Sequence, residues 1–204
     1  MEDKLIPLET TGKNTNLETS VLLDTKEEAE LTFTRAYNRM LNPAVWHKLC
    51  GPASAEFMLT NDHAKEESRL AKEGDFFKID IPGPGPSKGE GYDWVKVELI
   101  EDRKYPAEDE ERAGMKLRAA APPTKNENET AHFFNRDATS SFLLGRKGNK
   151  ITASYHGRNE VPNTDTENTA DNIRNSMVAM GAIAGLSELQ WSTLLKGFLE
   201  KEIV

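Results

Sequence analysis

Five stretches between Phe57 and His156 alternate apolar and polar residues with a period of two, which restricts the fold more than any motif in the chain. Phe57 and Leu59 alternate with Glu56, Met58 and Thr60, and Phe77, Ile79 and Ile81 with Lys78 and Asp80. Val95, Val97 and Leu99 alternate with Lys96 and Glu98, and Met115, Leu117 and Ala119 with Lys116 and Arg118. Ile151, Ala153 and Tyr155 alternate with Thr152, Ser154 and His156. Successive side chains of a strand point to opposite faces, so these repeats predict a sheet with one buried and one solvated face. A sixth segment, 139–146, is less regular because Phe142, Leu143 and Leu144 run together; it is expected to be covered on both faces. Lys147–Gly148–Asn149 is a hairpin signal joining it to the last strand.

Helical spacing brackets this region. Leu17, Ser20, Val21 and Leu22 suggest a first strand, with Asp24 or Thr25 as the cap of a helix carrying Ala29, Phe33, Ala36, Tyr37 and Met40 on one stripe. Asn42–Pro43 opens a second, short helix with Val45, Trp46, Leu49 and Cys50, ending at Gly51–Pro52. After a polar loop, Ile173, Met177, Met180 and Ala184 form another stripe, stopped at Gly185. Ser187 with Gln190 fits a capping box that restarts a helix bearing Trp191, Leu194, Leu195 and Phe198. The expected fold is α+β: a curved antiparallel sheet of six to seven strands against N-terminal helices and a C-terminal helical segment. Residues 1–15 are polar and turn-rich and read as a flexible tail, leaving 16–204 as a single domain.

A net charge of −8 argues against a nucleic-acid partner, because phosphate binding needs a basic field. The densest charged run, 101–112, is acidic on balance and is expected to be a solvated loop. Cys50 stands alone, so an intramolecular disulfide framework is excluded. The N-terminus lacks the basic start and apolar run of a signal peptide, and no window approaches the ~20 apolar residues of a membrane span. The expected location is a reducing cytoplasm, with no membrane partner.

A strand, two helices, a six-stranded antiparallel meander and a C-terminal helix resemble, in that order, the START-like helix-grip superfamily, which includes polyketide cyclases and plant carriers of hydrophobic ligands. The resemblance runs from about Asn16 to the end and is architectural; no diagnostic motif accompanies it and no functional residue is carried over. It implies an apolar pocket between sheet and C-terminal helix. The chain departs from the pattern in a break at Gly185–Leu186–Ser187 and a long loop at 101–113.

Candidate chemistry is sparse. The stretch Gly83–Pro84–Gly85–Pro86–Ser87–Lys88–Gly89 cannot cradle a phosphate, since Pro84 and Pro86 remove N–H donors; it reads as a strand connection. His47, His63 and His132 are isolated and form no metal-ligand pair with each other or with His156, so no metal and no cofactor is expected. Cys50 beside Leu49 reads as a buried, unreactive thiol. Trp94 and Phe76 fall on the outer face and are expected under a loop, with a partner-binding patch as the alternative. The densest polar cluster is His156, Arg158, Asn159 and Glu160, at a strand end where a rim site could form. Parity puts His156 outward with Thr152 and Ser154.

The inward set read from parity is Phe57, Leu59, Phe77, Ile79, Ile81, Val95, Val97, Leu99, Met115, Leu117, Ile151, Ala153 and Tyr155, and Tyr155 is its one polar handle. Three readings follow. The first is a non-catalytic protein that carries or senses an apolar small molecule, its pocket lined by Phe57, Phe77, Ile79, Val97, Met115, Leu117, Tyr155, Met177 and Met180. The second is a scaffold with a solid core that meets a protein partner or a second copy of itself. The third is an enzyme acting at the rim through His156, Arg158 and Glu160. Binding is favoured over catalysis, because the inward face carries no acid–base pair.

Overall fold

The computed structural model describes residues 2–51, 54–82, 86–126, 130–164, 171–172 and 188–201. The elements are α1 (Glu2–Leu5), β1 (Lys13–Leu22), α2 (Lys26–Met40), a 3-10 turn at Pro43–Val45, α3 (Trp46–Cys50), β2 (Glu56–Thr60), β3 (Phe76–Asp80), β4 (Asp93–Tyr105), β5 (Glu110–Ala119), β6 (Thr139–Lys147), β7 (Lys150–Glu160) and α4 (Glu188–Leu199). All seven strands join one sheet in the order β1–β7–β6–β5–β4–β3–β2, every pair antiparallel. Strands β2 to β7 form an uninterrupted meander, and β1 returns to pair with β7. This is the α+β helix-grip arrangement that the sequence leads one to expect.

Local chemistry sets the helix ends as read. Thr25 caps α2, its hydroxyl accepting the Glu28 N–H at 3.1 Å. Gly51 ends α3 with φ +90°, a conformation that favours glycine. The stripe expected at Ile173, Met177, Met180 and Ala184, with the break and Ser187 cap that follow it, lies outside the described residues. Helix α4 does carry Trp191, Leu194, Leu195 and Phe198 towards the core.

The core lies between the inner sheet face and α2, α3 and α4. Trp46 is its centre. Its ring centroid is 5.1 Å from Phe57, 5.6 Å from Phe77, 5.1 Å from Phe142 and 6.1 Å from Phe198, and its Nε1–H donates to the Arg39 carbonyl at 3.0 Å. Arg39, also buried, donates to the carbonyls of Gly197 at 2.7 Å and Glu200 at 2.6 Å. Those carbonyls lie in the last turn of α4 and just past it, where helical N–H donors run out, so α2 both packs against the last helix and caps it.

Every residue expected to face inward is buried except Leu99. A bulge in β4 explains the exception: Val97 pairs with Leu117, but Leu99 then pairs with Lys116 and Ile100 with Met115. One extra residue reverses the parity beyond it, and Ile100 rather than Leu99 packs on the core.

The solvated loop expected at 101–112 is instead the far end of a long β4–β5 hairpin, turned by Pro106–Glu108. This end lies against the polar side of α2, with Lys26 2.8 Å from Asp109 and the Tyr37 hydroxyl 3.3 Å from Asp102, so charge pairing takes the place of apolar alternation there and the strand signal is hidden. Its ladder is electrostatic. Arg146 of β6 bonds Glu111 at 2.6 Å and Asp109 at 3.0 Å, and Lys104 reaches Glu111 at 2.9 Å. Arg146 and Lys104 together outweigh burial and hold the Glu111 carboxyl below its ordinary range.

The first residues are also packed, in contrast to the expected tail. Leu5 is fully buried on the outer face of β5 and β6, where a Cβ on Gly114 would sit 2.5 Å from its side chain and where Ser141 Oγ donates to its carbonyl at 2.5 Å. This cover gives β6 its irregular pattern. Strand β1 begins at Lys13, earlier than its apolar residues indicate. Trp94, Phe76 and Ala131 form a small second cluster beneath the loop that follows β5, which agrees with the loop-covered reading of the outer aromatics.

Candidate ligand-binding cavity

A cavity of about 340 Å³ opens between the inner face of the sheet and the start of α4. Its floor is Ile79, Val95, Leu117 and Phe57, and its walls are the rings of Trp46, Phe133, Phe134, Tyr155 and Trp191. The volume falls at the lower end of the range for small-molecule sites. Each wall has a local cause. Trp191 sits one turn into α4 and stacks on Tyr155 at 5.1 Å with 18° between ring planes. Phe133 and Phe134 come from the β5–β6 connection, which Asp93 pins through its carboxylate to the Phe133 N–H at 2.9 Å. His132 stacks on Phe133 at 4.0 Å, and its Nδ1 accepts the Phe134 N–H at 3.0 Å, which makes it the Nε2–H tautomer if neutral.

One end of the cavity is polar. Glu160 Oε2 accepts the Thr15 hydroxyl at 2.9 Å, Oε1 accepts the Tyr155 hydroxyl at 3.3 Å, and Ser140 Oγ lies 3.1 Å from the Tyr155 oxygen. At the mouth, Lys13 of β1 and Glu188 of α4 pair at 2.8 Å. Burial pushes the Glu160 carboxyl above its ordinary value, opposed by the Thr15 hydroxyl, the charge of Lys13 and the Tyr155 hydroxyl. Burial, with Glu160 alongside, also raises the Tyr155 phenol.

Glu160 reaches the cavity through a backbone device. Asn159 adopts φ +56°, and the β1–β7 register shifts between Lys13↔Glu160 and Thr15↔Gly157. The Asn159 side chain holds this kink by accepting the N–H groups of Thr10 and Thr11 at 2.9 and 3.2 Å. The Glu160 carboxylate then folds over Gly157, filling the place that a Cβ would occupy there.

The polar cluster at the end of β7 is therefore divided. His156 faces outward, with Nδ1 2.8 Å from Asn16 Oδ1 and Nε2 3.1 Å from Ser154 Oγ. Arg158 donates to the carbonyls of Gly157 and Thr15 and to Asn16 on the same face. Asn159 binds the N-terminal segment, and only Glu160 turns inward. The rim constellation of His156, Arg158 and Glu160 is thus not assembled, because the strand lies between its members. Phe57, Ile79, Leu117 and Tyr155 line the cavity as expected, while Phe77, Val97 and Met115 are buried in the core without lining it. Met177 and Met180 lie outside the described residues. Tyr155 is not the one polar handle: Ser140, Thr15 and Glu160 join it. A bulge and cross-strand register, neither visible as periodicity, brought them in. The adjacent Phe133–Phe134 pair was the one local signal available.

Among the other candidates, burial pushes the Cys50 thiol up to about 12, which suits an inert thiol. His47 contacts Ser54, and His63 is exposed beside Asp62. No group of metal-binding side chains occurs among the described residues.

No protein-family model matches the chain, and no curated protein matches it. Several solved structures resemble it in fold. Major latex-like protein 151 from Panax ginseng is 12% identical with a TM-score of 0.38, covering 84% of this chain and 96% of its own. Norcoclaurine synthase from Thalictrum flavum, in complex with dopamine and hydroxybenzaldehyde, is 12% identical with a TM-score of 0.38, covering 96% and 98%. Protein Ms6760 from Mycobacterium smegmatis is 13% identical with a TM-score of 0.39, covering 89% and 87%. What they share with this chain is architecture. No helix among the described residues is long and apolar enough to cross a membrane.

The raised Glu160 carboxyl has a consequence for stability. A group that holds its proton more tightly when folded stabilises the fold at low pH, and that contribution is lost as pH rises through the folded value. Glu160→Gln is therefore expected to be more stable than the parent at pH 7–8, by on the order of 1 kcal/mol, the scale of a poorly compensated buried polar group. The gain should vanish below pH 4, under the ordinary glutamate value of 4.5. Urea denaturation at several pH values measures it; a variant less stable than the parent at pH 8 contradicts this account.

Proposed function

We propose that the protein binds a small, mainly aromatic molecule in the cavity between sheet and α4, as a carrier or sensor and without transforming it. The observation that carries this reading is a cavity of about 340 Å³ walled by aromatic rings and closed at one end by the Glu160–Tyr155–Thr15–Ser140 network. Apolar walls with a few convergent polar groups are what small-ligand sites present. A scaffold with a solid core would have no use for this space, because unfilled interior volume forfeits contacts and costs stability. Within the network each hydroxyl is engaged and the Tyr155 phenol is held away from ionisation, which favours orientation of a ligand over proton transfer to it.

Binding is tested by native mass spectrometry and thermal denaturation of the full chain with 2-naphthol, an aromatic probe with one hydrogen-bonding group. A one-to-one adduct is expected. At a free concentration about tenfold above Kd, stabilisation of about 1.4 kcal/mol should follow, or roughly 3–6 °C for a chain of this size. Leu189→Trp, at the exposed mouth, should weaken the adduct without lowering the melting temperature of the free protein. Absence of any adduct or shift with the parent protein overturns the reading.

A further inference from the structure

We propose that the ligand is cationic: an aromatic or aryl-alkyl amine whose ammonium group meets Glu160 while its ring lies among Phe133, Phe134 and Trp191. The inference rests on the cavity being a ligand site and adds the charge of what it takes.

Charge within the cavity points one way. Glu160 is buried, yet its direct partners are the neutral hydroxyls of Thr15 and Tyr155. A buried carboxylate is stabilised far better by a cation than by neutral donors. The cation whose charge acts on Glu160, Lys13, is bonded at 2.8 Å to Glu188 at the mouth. The charged groups lining the cavity are thus two carboxylates and one ammonium, with His132 as a further titratable ring and the Tyr155 phenol held un-ionised. A two-oxygen carboxylate has about four acceptor positions, and the hydroxyls occupy two of Glu160's.

The walls favour the same sign. Ring faces carry a negative quadrupole and attract ammonium groups, most strongly where water is excluded. Here Trp191 is stacked on Tyr155, whose hydroxyl bonds Glu160, so a cation held between carboxylate and ring meets both at once. The local backbone serves this placement: the kink at Asn159 turns the carboxylate inward, and the bare Cα of Gly157 leaves space for it. A fold with no use for a carboxylate in its apolar interior gains nothing from this arrangement.

The test is a charge series on one ring system: tryptamine (cation), 3-methylindole (neutral) and indole-3-acetate (anion). Each is titrated calorimetrically at pH 7 into the full-length parent protein and Glu160→Gln. In the parent, tryptamine should bind at least ~10-fold tighter than 3-methylindole, a difference of about 1.4 kcal/mol, and indole-3-acetate should bind weakest. In Glu160→Gln, tryptamine should fall to within about twofold of 3-methylindole measured in the same variant, and a one-to-one 3-methylindole isotherm there reports that the variant cavity still binds. Binding of 3-methylindole with no preference for tryptamine, or a preference that survives Glu160→Gln, overturns the cationic assignment and leaves the apolar site standing. If none of the three binds the parent, both the assignment and the ligand-binding reading fail.

Discussion

Trp46→Ala is expected to destabilise the protein by about 3–5 kcal/mol, the range for truncating a large buried aromatic. The indole is fully buried and touches rings from four separate elements: Phe57 of β2, Phe77 of β3, Phe142 of β6 and Phe198 of α4. Removing it takes away four ring contacts at once, including one of those that join the sheet to the last helix, and leaves a hole that these rings cannot all move to fill. It also takes one N–H donor from the Arg39 carbonyl, which keeps the Asn42 N–H at 3.2 Å and lies on the residue whose guanidinium caps α4. Trp46→Phe keeps the aromatic contact and loses the hydrogen bond, so a smaller loss, roughly 1–2 kcal/mol, is expected. Urea denaturation of the three proteins measures both. A Trp46→Ala loss below about 1 kcal/mol would mean that this tryptophan is not the hub of the core.

Gly157→Val is expected to cost about 3 kcal/mol, the upper end for overpacking, and to abolish the preference for cations. A Cβ at this position overlaps Glu160 Oε1, lies 2.7 Å from its Cδ and 3.1 Å from the Tyr155 hydroxyl. The backbone is pinned in the ladder to β6 and β1, with Gly157 opposite Ser140 and Thr15, so the carboxylate has to leave. Combining Gly157→Val with Glu160→Ala removes the group that is struck. The double variant should recover at least ~1 kcal/mol relative to additivity, within the range of coupling between residues in contact. Additive losses would show that the valine acts on the strand itself and that Gly157 makes no room for Glu160.

Much of this architecture could be read from particular residues. The alternation at Phe77–Ile81 or Ile151–Tyr155 survives because those strands have one face under helices and the other in water. At 101–112 the same logic hides a strand. The far end of the β4–β5 hairpin meets the polar side of α2 through Lys26 and Asp109, and alternation gives way to charge pairing, with Glu111 meeting Lys104 and Arg146. Leu99 shows the limit of parity, since one bulged residue hands its inward place to Ile100. Segment 139–146 shows the reverse, because its blurred pattern correctly reported cover on both faces.

The site was harder to read for a related reason. Tyr155 follows from parity, but proximity along the chain groups Glu160 with His156 and Arg158. In three dimensions the sheet separates them, and the kink at Asn159 sends Glu160 alone to the inside. Trp191 could be assigned to an apolar helix face, but its stacking on Tyr155 depends on where α4 crosses the sheet.

The sequence by itself determined the class of the fold, the helix caps, and which face of most strands is buried, because these depend on interactions between near neighbours and on the simple choice between oil and water. The tertiary structure alone decided that the inner face encloses a cavity, that a carboxylate stands at its end, and that Lys13 is drawn to Glu188. Those outcomes depend on register, on one left-handed residue, and on residues that meet across more than a hundred positions of chain. Local periodicity contains no record of such meetings, since the distance between two side chains along the sequence says nothing about the space that folding leaves between them.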